Sequence, residues 1–262
     1  MFDLKIEDLA ESVRKGANLN RMPVDVIGLA EFEGIILQPV TNFKGFNGKI
    51  EFWKDDGLFV IFHPDPTIYE YKNRLRFSIA HELGHYHIEE HRSTLVAGQT
   101  HNSKPGFSSQ DPREREADEF AAALLIPRFA MEPTIDKRGY LDLREIDQIA
   151  KKCEVSLIAT AIRYVRMASE ACAYVLSKDG ERKSYYLSDE ATIIRLGKIK
   201  RGDIPLKAQA RLLSQIKEET DIKEFEHNIA DWFESPFKSG KLYEQSKGIG
   251  QGYVVSMLSL VT

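Results

Sequence analysis

Over residues 4–13 the apolar positions Leu4, Ile6, Leu9, Ala10 and Val13 recur at near-helical spacing, and Val24, Ile27, Leu29 and Ala30 repeat it over 23–32. Pro23 suits the first turn of that second helix. Three short β-branched or aromatic runs follow, at 35–37, 48–53 and 58–62. Lys54-Asp55-Asp56-Gly57 offers a hairpin connection between the last two. Leu75, Phe77, Ile79, Ala80 and Leu83 place a partly buried helix over about 71–91. The polar stretch 94–112 reads as a long loop, and Asp111 with Pro112 opens a strong helix over 111–125. Two more helices are expected at 143–153 and 156–168. Beyond residue 170 the texture changes: strands at 171–176 and 183–187 flank a turn, 206–217 and 225–233 look helical, and 242–245 and 253–261 look like strands. The pattern predicts an α+β domain over 1–168 and a smaller mixed α/β domain over 169–262.

Composition narrows the class without changing this outline. The 262 residues are 42% hydrophobic and 29% charged, which excludes collagen-like, low-complexity and wholly disordered chains. A net charge of −4 and a pI near 6.0 supply no global basic field for nucleic acid or an anionic membrane. Two cysteines, Cys153 and Cys172, are too few for a disulfide framework or an all-cysteine metal site. The N-terminal residues are acidic where a signal peptide would be basic. The apolar run 120–126 is about a third of the ~20 residues a membrane span needs. The expectation is a soluble, cytoplasmic protein.

The chemistry concentrates at His81-Glu82-Leu83-Gly84-His85, an H-E-x-x-H pattern on an expected helix. Residues four apart share a helical face, so both imidazoles can address one ion, and Glu82 can take the proton of a water beside it. Two histidines on a solvated surface are the bland alternative; the apolar lead-in Phe77-Ser78-Ile79-Ala80 argues against it. A third ligand is needed. His91 has the metzincin separation from His85, but Ile88 stands where that scheme has glycine. A continued helix turns His91 about 240° away. His91 and His87 are therefore read as surface or helix-end histidines. On the next helix Glu114 and Asp118 lie four apart, beside the Ala117–Ala121 side that must pack inward. Four acids in six positions can be merely a solvated face, but E-x-x-x-D is also the glutamate-zincin arrangement, in which the glutamate completes the metal shell and the aspartate accepts the free ring N–H of a ligand histidine. Glu116 and Glu119 are expected to be solvated.

Residues 74–85, together with Glu114-x-x-Ala117-Asp118-x-Phe120-Ala121-Ala122-x-Leu124-Leu125-Ile126-Pro127, resemble the ImmA/IrrE family of metallopeptidases, over roughly residues 5–168. Ile126 stands where many relatives have methionine. The resemblance implies a zincin-like fold and a zinc endopeptidase that cleaves an XRE-type helix-turn-helix repressor, releasing stress, mobile-element or phage-defence genes. It implies His81, His85 and Glu114 as ligands of one Zn2+, Glu82 as general base and Asp118 behind a ligand. Tyr86, His101 and Tyr140 are candidate oxyanion donors.

Residues 149–166 also read like a DNA-binding helix-turn-helix, with Glu154 where glycine usually provides positive φ. An acid there opposes phosphate, and family relatives carry a similar pair inside the peptidase fold, so no direct nucleic-acid binding is expected. A metal-binding sensor or interaction module with little peptidase activity is the further alternative. Residues 169–262 carry no catalytic motif. The run Gly248-x-Gly250-x-Gly252 is read as a turn, Trp232 and Tyr185-Tyr186 as packing residues, and a GAF-like sensor as an analogy with IrrE-type relatives.

Overall fold

Asp25 and Asp111 each open a helix by accepting a backbone N–H, from Gly28 and Arg113 respectively, at 2.9 Å. The computed structural model describes residues 4–41, 48–67, 72–98, 111–236 and 240–261. In chain order these form α1 (Leu4–Gly16), α2 (Val26–Phe32), β1 (Ile36–Val40), β2 (Lys49–Trp53), β3 (Leu58–Pro64), α3 (Lys72–His87), α4 (Glu89–Val96) and α5 (Pro112–Leu125). Then come α6 (Glu132–Arg138), α7 (Leu143–Cys153), α8 (Leu157–Met167), β4 (Cys172–Lys178), β5 (Glu181–Leu187), α9 (Asp189–Ile193), β6 (Lys198–Ile199) and α10 (Gln209–Leu213). The chain closes with β7 (Lys223–Asn228), α11 (Ile229–Trp232), β8 (Phe233–Glu234), β9 (Lys241–Gly248) and β10 (Tyr253–Val261). The α+β class is as expected. Pro23 lies ahead of α2, because Asp25 is its cap.

The contacts group the chain into two units, residues 3–128 with 152–156, and residues 129–151 with 157–262. Whereas the sequence pattern breaks near 168, α8 packs on β4, β5 and β10 and clusters with the C-terminal sheet.

In the N-terminal unit, β1, β3 and β2 form a sheet in that order, β1 parallel and β2 antiparallel to β3. Ile50, Val60 and Ile61 are fully buried in it. Helix α3 packs on this sheet and on α5, and α1 covers α5. The expected helix over 71–91 breaks. Ile88 adopts an extended conformation (φ −76°, ψ 113°) and α4 starts anew after it.

In the other unit a five-stranded antiparallel sheet runs β5-β4-β10-β9-β7. Ala173, Val175, Leu242, Val254 and Leu258 join Trp232, Phe233 and Leu213 in its core. Two helix expectations fail here. Residues 223–228 form β7, paired to β9, before the one-turn α11, and the helix expected over 206–217 shortens to α10. What holds α10 is long-range: Glu244 of β9 accepts the N–H groups of Gln209 and Ala210 at 3.0 and 2.8 Å. The glycine-rich run is the β9–β10 turn, where Gly252 (φ 78°) leaves room for Asp179 that a side chain would take. Among the described residues no helix is long and apolar enough to cross a membrane.

Candidate metal centre

Gly84 is the residue that lets the site assemble. Its missing side chain admits α5: a Cβ there would stand 3.1 Å from Ala117 Cα, 3.2 Å from Ala117 O and 3.3 Å from Phe120 Cβ. Ala117 and Ala121 are small on the facing side, so α3 and α5 approach closely. Glu114 is thereby brought beside His81 and His85, all three buried. In the sequence Gly84 stands only as a variable position of the H-E-x-x-H pattern.

The three donors lie close together. His81 Nε2 is 3.2 Å from His85 Nε2, His85 Nε2 is 3.2 Å from Glu114 Oε1, and His81 Nε2 is 3.7 Å from Glu114 Oε2. Ligands held tetrahedrally about 2.0–2.1 Å from an ion are separated by roughly 3.3–3.4 Å from one another. The observed spacings bracket that value, so this group can hold a metal ion. Charge agrees. Glu82, Glu114 and Asp118 place three buried carboxylates around two imidazoles. Burial disfavours charge on His81, yet Asp118 and Glu114 outweigh it and raise its pKa to about 10. The pocket attracts a cation.

Both ring orientations are fixed from behind. His81 Nδ1 lies 2.9 Å from Asp118 Oδ1, which leaves Nε2 turned to the site. His85 Nδ1 lies 3.2 Å from His91 Nδ1, and His91 Nε2 is 2.8 Å from Glu116 Oε2. Two residues expected in solvent, His91 and Glu116, stand here instead. The break at Ile88 folds α4 back, so His91 is 2% exposed against His85 rather than on the surface. Glu116 meets it instead of standing alone in solvent. No glycine marks that break, which is why the pattern hid it. His87 is half-buried, stacked on Phe120 with ring centroids 5.6 Å apart, and desolvation with the nearby Arg92 lowers its pKa to about 4.

Glu82 is wholly buried, and the backbone at the start of β2 lies against it: a Cβ on Gly48 would be 2.7 Å from Glu82 Oε1. Of the oxyanion candidates, Tyr86 packs edge-on to Phe59 at 5.0 Å beneath Arg92, with Glu33 at its hydroxyl. Tyr140 belongs to the other unit and His101 lies outside the described residues.

In the helix pair α7–α8, Glu154 takes the left-handed turn conformation itself (φ 51°) and pairs with Arg76 at 3.4 Å. Eight of the eleven α8 residues are buried, so α8 offers no side-chain row of the kind that reads a major groove. Trp232 is core.

Comparison with known proteins agrees with this geometry. Residues 68–164 match the family profile of the IrrE N-terminal-like domain, a peptidase family. Among solved structures the chain is similar to a Mycobacterium tuberculosis transcriptional regulator, with a TM-score of 0.63 and 16% identity over 99% of this chain and 77% of that one. That likeness is one of fold. No curated protein matches the chain.

Proposed function

Starting from a chain whose residues 68–164 match the profile of the IrrE N-terminal-like peptidase domain, we propose that it is a zinc-dependent endopeptidase that cuts a partner XRE-type transcriptional repressor. The observation that carries this reading is the buried His81–His85–Glu114 group with Glu82 beside it. In it, His81 Nε2, His85 Nε2 and a Glu114 oxygen would hold an ion, and Asp118 keeps the His81 ring in the tautomer that presents Nε2. A zinc ion bound there supplies Lewis acidity toward water and toward a scissile carbonyl. Glu82 takes the proton from the attacking water on a carboxylate oxygen and hands it to the leaving amine nitrogen.

The edge of β2 supports an extended substrate. Among the described residues β2 pairs only with β3, so its outer edge can add a substrate strand next to Gly48 and Glu82. Such docking selects a flexible linker in an otherwise folded partner. Residues 169–262 are proposed to receive that partner or a signal. Their antiparallel sheet with helices on its face supports a GAF-like sensor. Release of the repressor's genes then follows from its cleavage in the cytoplasm.

The experiment incubates the purified protein with an XRE-type repressor encoded beside it. A discrete fragment should appear, vanish after chelation and return with added zinc. Salt-sensitive binding to a defined duplex with no cleavage would instead favour a DNA-binding regulator.

A further inference from the structure

The two imidazoles of the metal group are oriented by different means, and the difference assigns a role to residues outside that group. His81 leans directly on a carboxylate, at Asp118. His85 leans on a second imidazole: the two Nδ1 atoms of His85 and His91 lie 3.2 Å apart, a distance that accommodates one proton between them. Which ring carries that proton decides what His85 presents to the ion. A proton on His85 Nδ1 leaves its Nε2 lone pair for the metal. A proton on His91 Nδ1 instead puts the His85 hydrogen on Nε2, facing Glu114 and His81, where it blocks ligation.

Glu116 breaks the tie. An ionised carboxylate only accepts, so Glu116 Oε2 at 2.8 Å draws the hydrogen of a neutral His91 to Nε2. His91 Nδ1 is then an acceptor, and it takes the hydrogen of His85 Nδ1. We propose that His91 and Glu116 form a positioning relay that sets the tautomer of His85 and so raises the metal affinity of the site. The relay spans three helices: His85 on α3, His91 on α4 and Glu116 on α5. It is also placed to resist disturbance at its inner end. His91 is 3% exposed along its side chain, whereas Glu116 is 41% exposed and can be changed without opening the core. This assignment rests on the metal-site reading given above.

The test is metal affinity, read by competition between the protein and a chromophoric zinc chelator, with thermal melting of each metal-free variant. His91→Leu removes the acceptor and should weaken zinc binding by about 10–100-fold. His91→Asn should bind nearly as wild type, because its Oδ1 can occupy the place of the ring Nδ1 and accept the same hydrogen. Glu116→Ala, on the exposed end, should lower affinity several-fold without lowering the melting temperature, and Glu116→Gln should restore it through the amide oxygen. Glu116→Ala decides the matter even where His91→Leu does not fold. Wild-type affinity in His91→Leu or Glu116→Ala, or failure of His91→Asn and Glu116→Gln to rescue, overturns the relay. A wild-type protein that takes up no zinc would overturn the metal site itself, which is a separate result.

Discussion

A methyl group at Gly48 is the smallest perturbation that separates the proton-transfer role of Glu82 from metal binding. In Gly48→Ala the new carbon would start 2.7 Å from Glu82 Oε1, 3.2 Å from Cγ and 3.3 Å from Cδ. Ordinary contact begins near 3.4 Å, so the carboxylate must retreat by about 0.7 Å. A misplacement of roughly 1 Å in a reacting group costs on the order of 100-fold, which sets an expected fall of about 10–100-fold in kcat. That is about 1.4–2.7 kcal/mol of barrier. The three atoms nearest the methyl all belong to Glu82 and none to a donor of His81, His85 or Glu114, so zinc content should stay at one per chain. The assay follows cleavage of the partner repressor alongside elemental analysis of the same sample. A second arm makes the change in a Glu82→Gln background, where it should cost little more because the two act on one step. Wild-type turnover in Gly48→Ala, or a loss matched by lost zinc, would refute the placement of Glu82 as the base.

His81→Ala, His85→Ala and Glu114→Ala should each strip zinc on desalting, and Asp118→Ala should weaken its retention by about 10–100-fold in a chelator titration. Retention of zinc by the Glu114 variant would remove Glu114 from the shell. Glu244→Ala leaves the N–H groups of Gln209 and Ala210 and the hydroxyl of Ser246 without their carboxylate, and His227 Nε2 as well. The loss should reach at least about 3 kcal/mol in urea unfolding followed by Trp232 fluorescence. Burial raises the pKa of Asp147, but Lys151 and Lys247 outweigh it and hold it below the usual carboxylate range. Its folded value lies below its unfolded one, so its contribution is in place above about pH 4 and fades as pH falls through the folded value. Asp147→Asn should flatten the acid limb of the melting-temperature profile, and an unchanged limb would contradict the pairing.

The parts of the molecule governed by local pattern were legible in the sequence. The four-residue spacing of His81 and His85 sits on one turn of α3, and Glu114 and Asp118 arrive together because α5 starts at a cap the sequence displays, Asp111. Strand β10 carries the run at 253–261 that the sequence shows. What was hidden depends on contacts far apart in the chain. The break at Ile88 has no glycine or proline to announce it, so His91 looked remote from His85 when it lies against it. Glu116 looked solvated because a helical pattern cannot show which residue of another helix will reach it. Residues 223–228 have enough mixed apolar and polar character to suit either period, and pairing with β9 decides for strand. The short α10 owes its start to Glu244, 34 residues beyond Ala210.

The central claim is that the His81–His85–Glu114 group serves peptide hydrolysis with Glu82 moving the proton. Glu82→Gln tests it most directly, with zinc content and repressor cleavage read from one purified sample. The expected result is one zinc per chain, an unchanged melting temperature and no fragment under conditions in which the wild-type protein cuts to completion. A Glu82→Gln protein that keeps its zinc and still cuts at the wild-type rate would contradict the account.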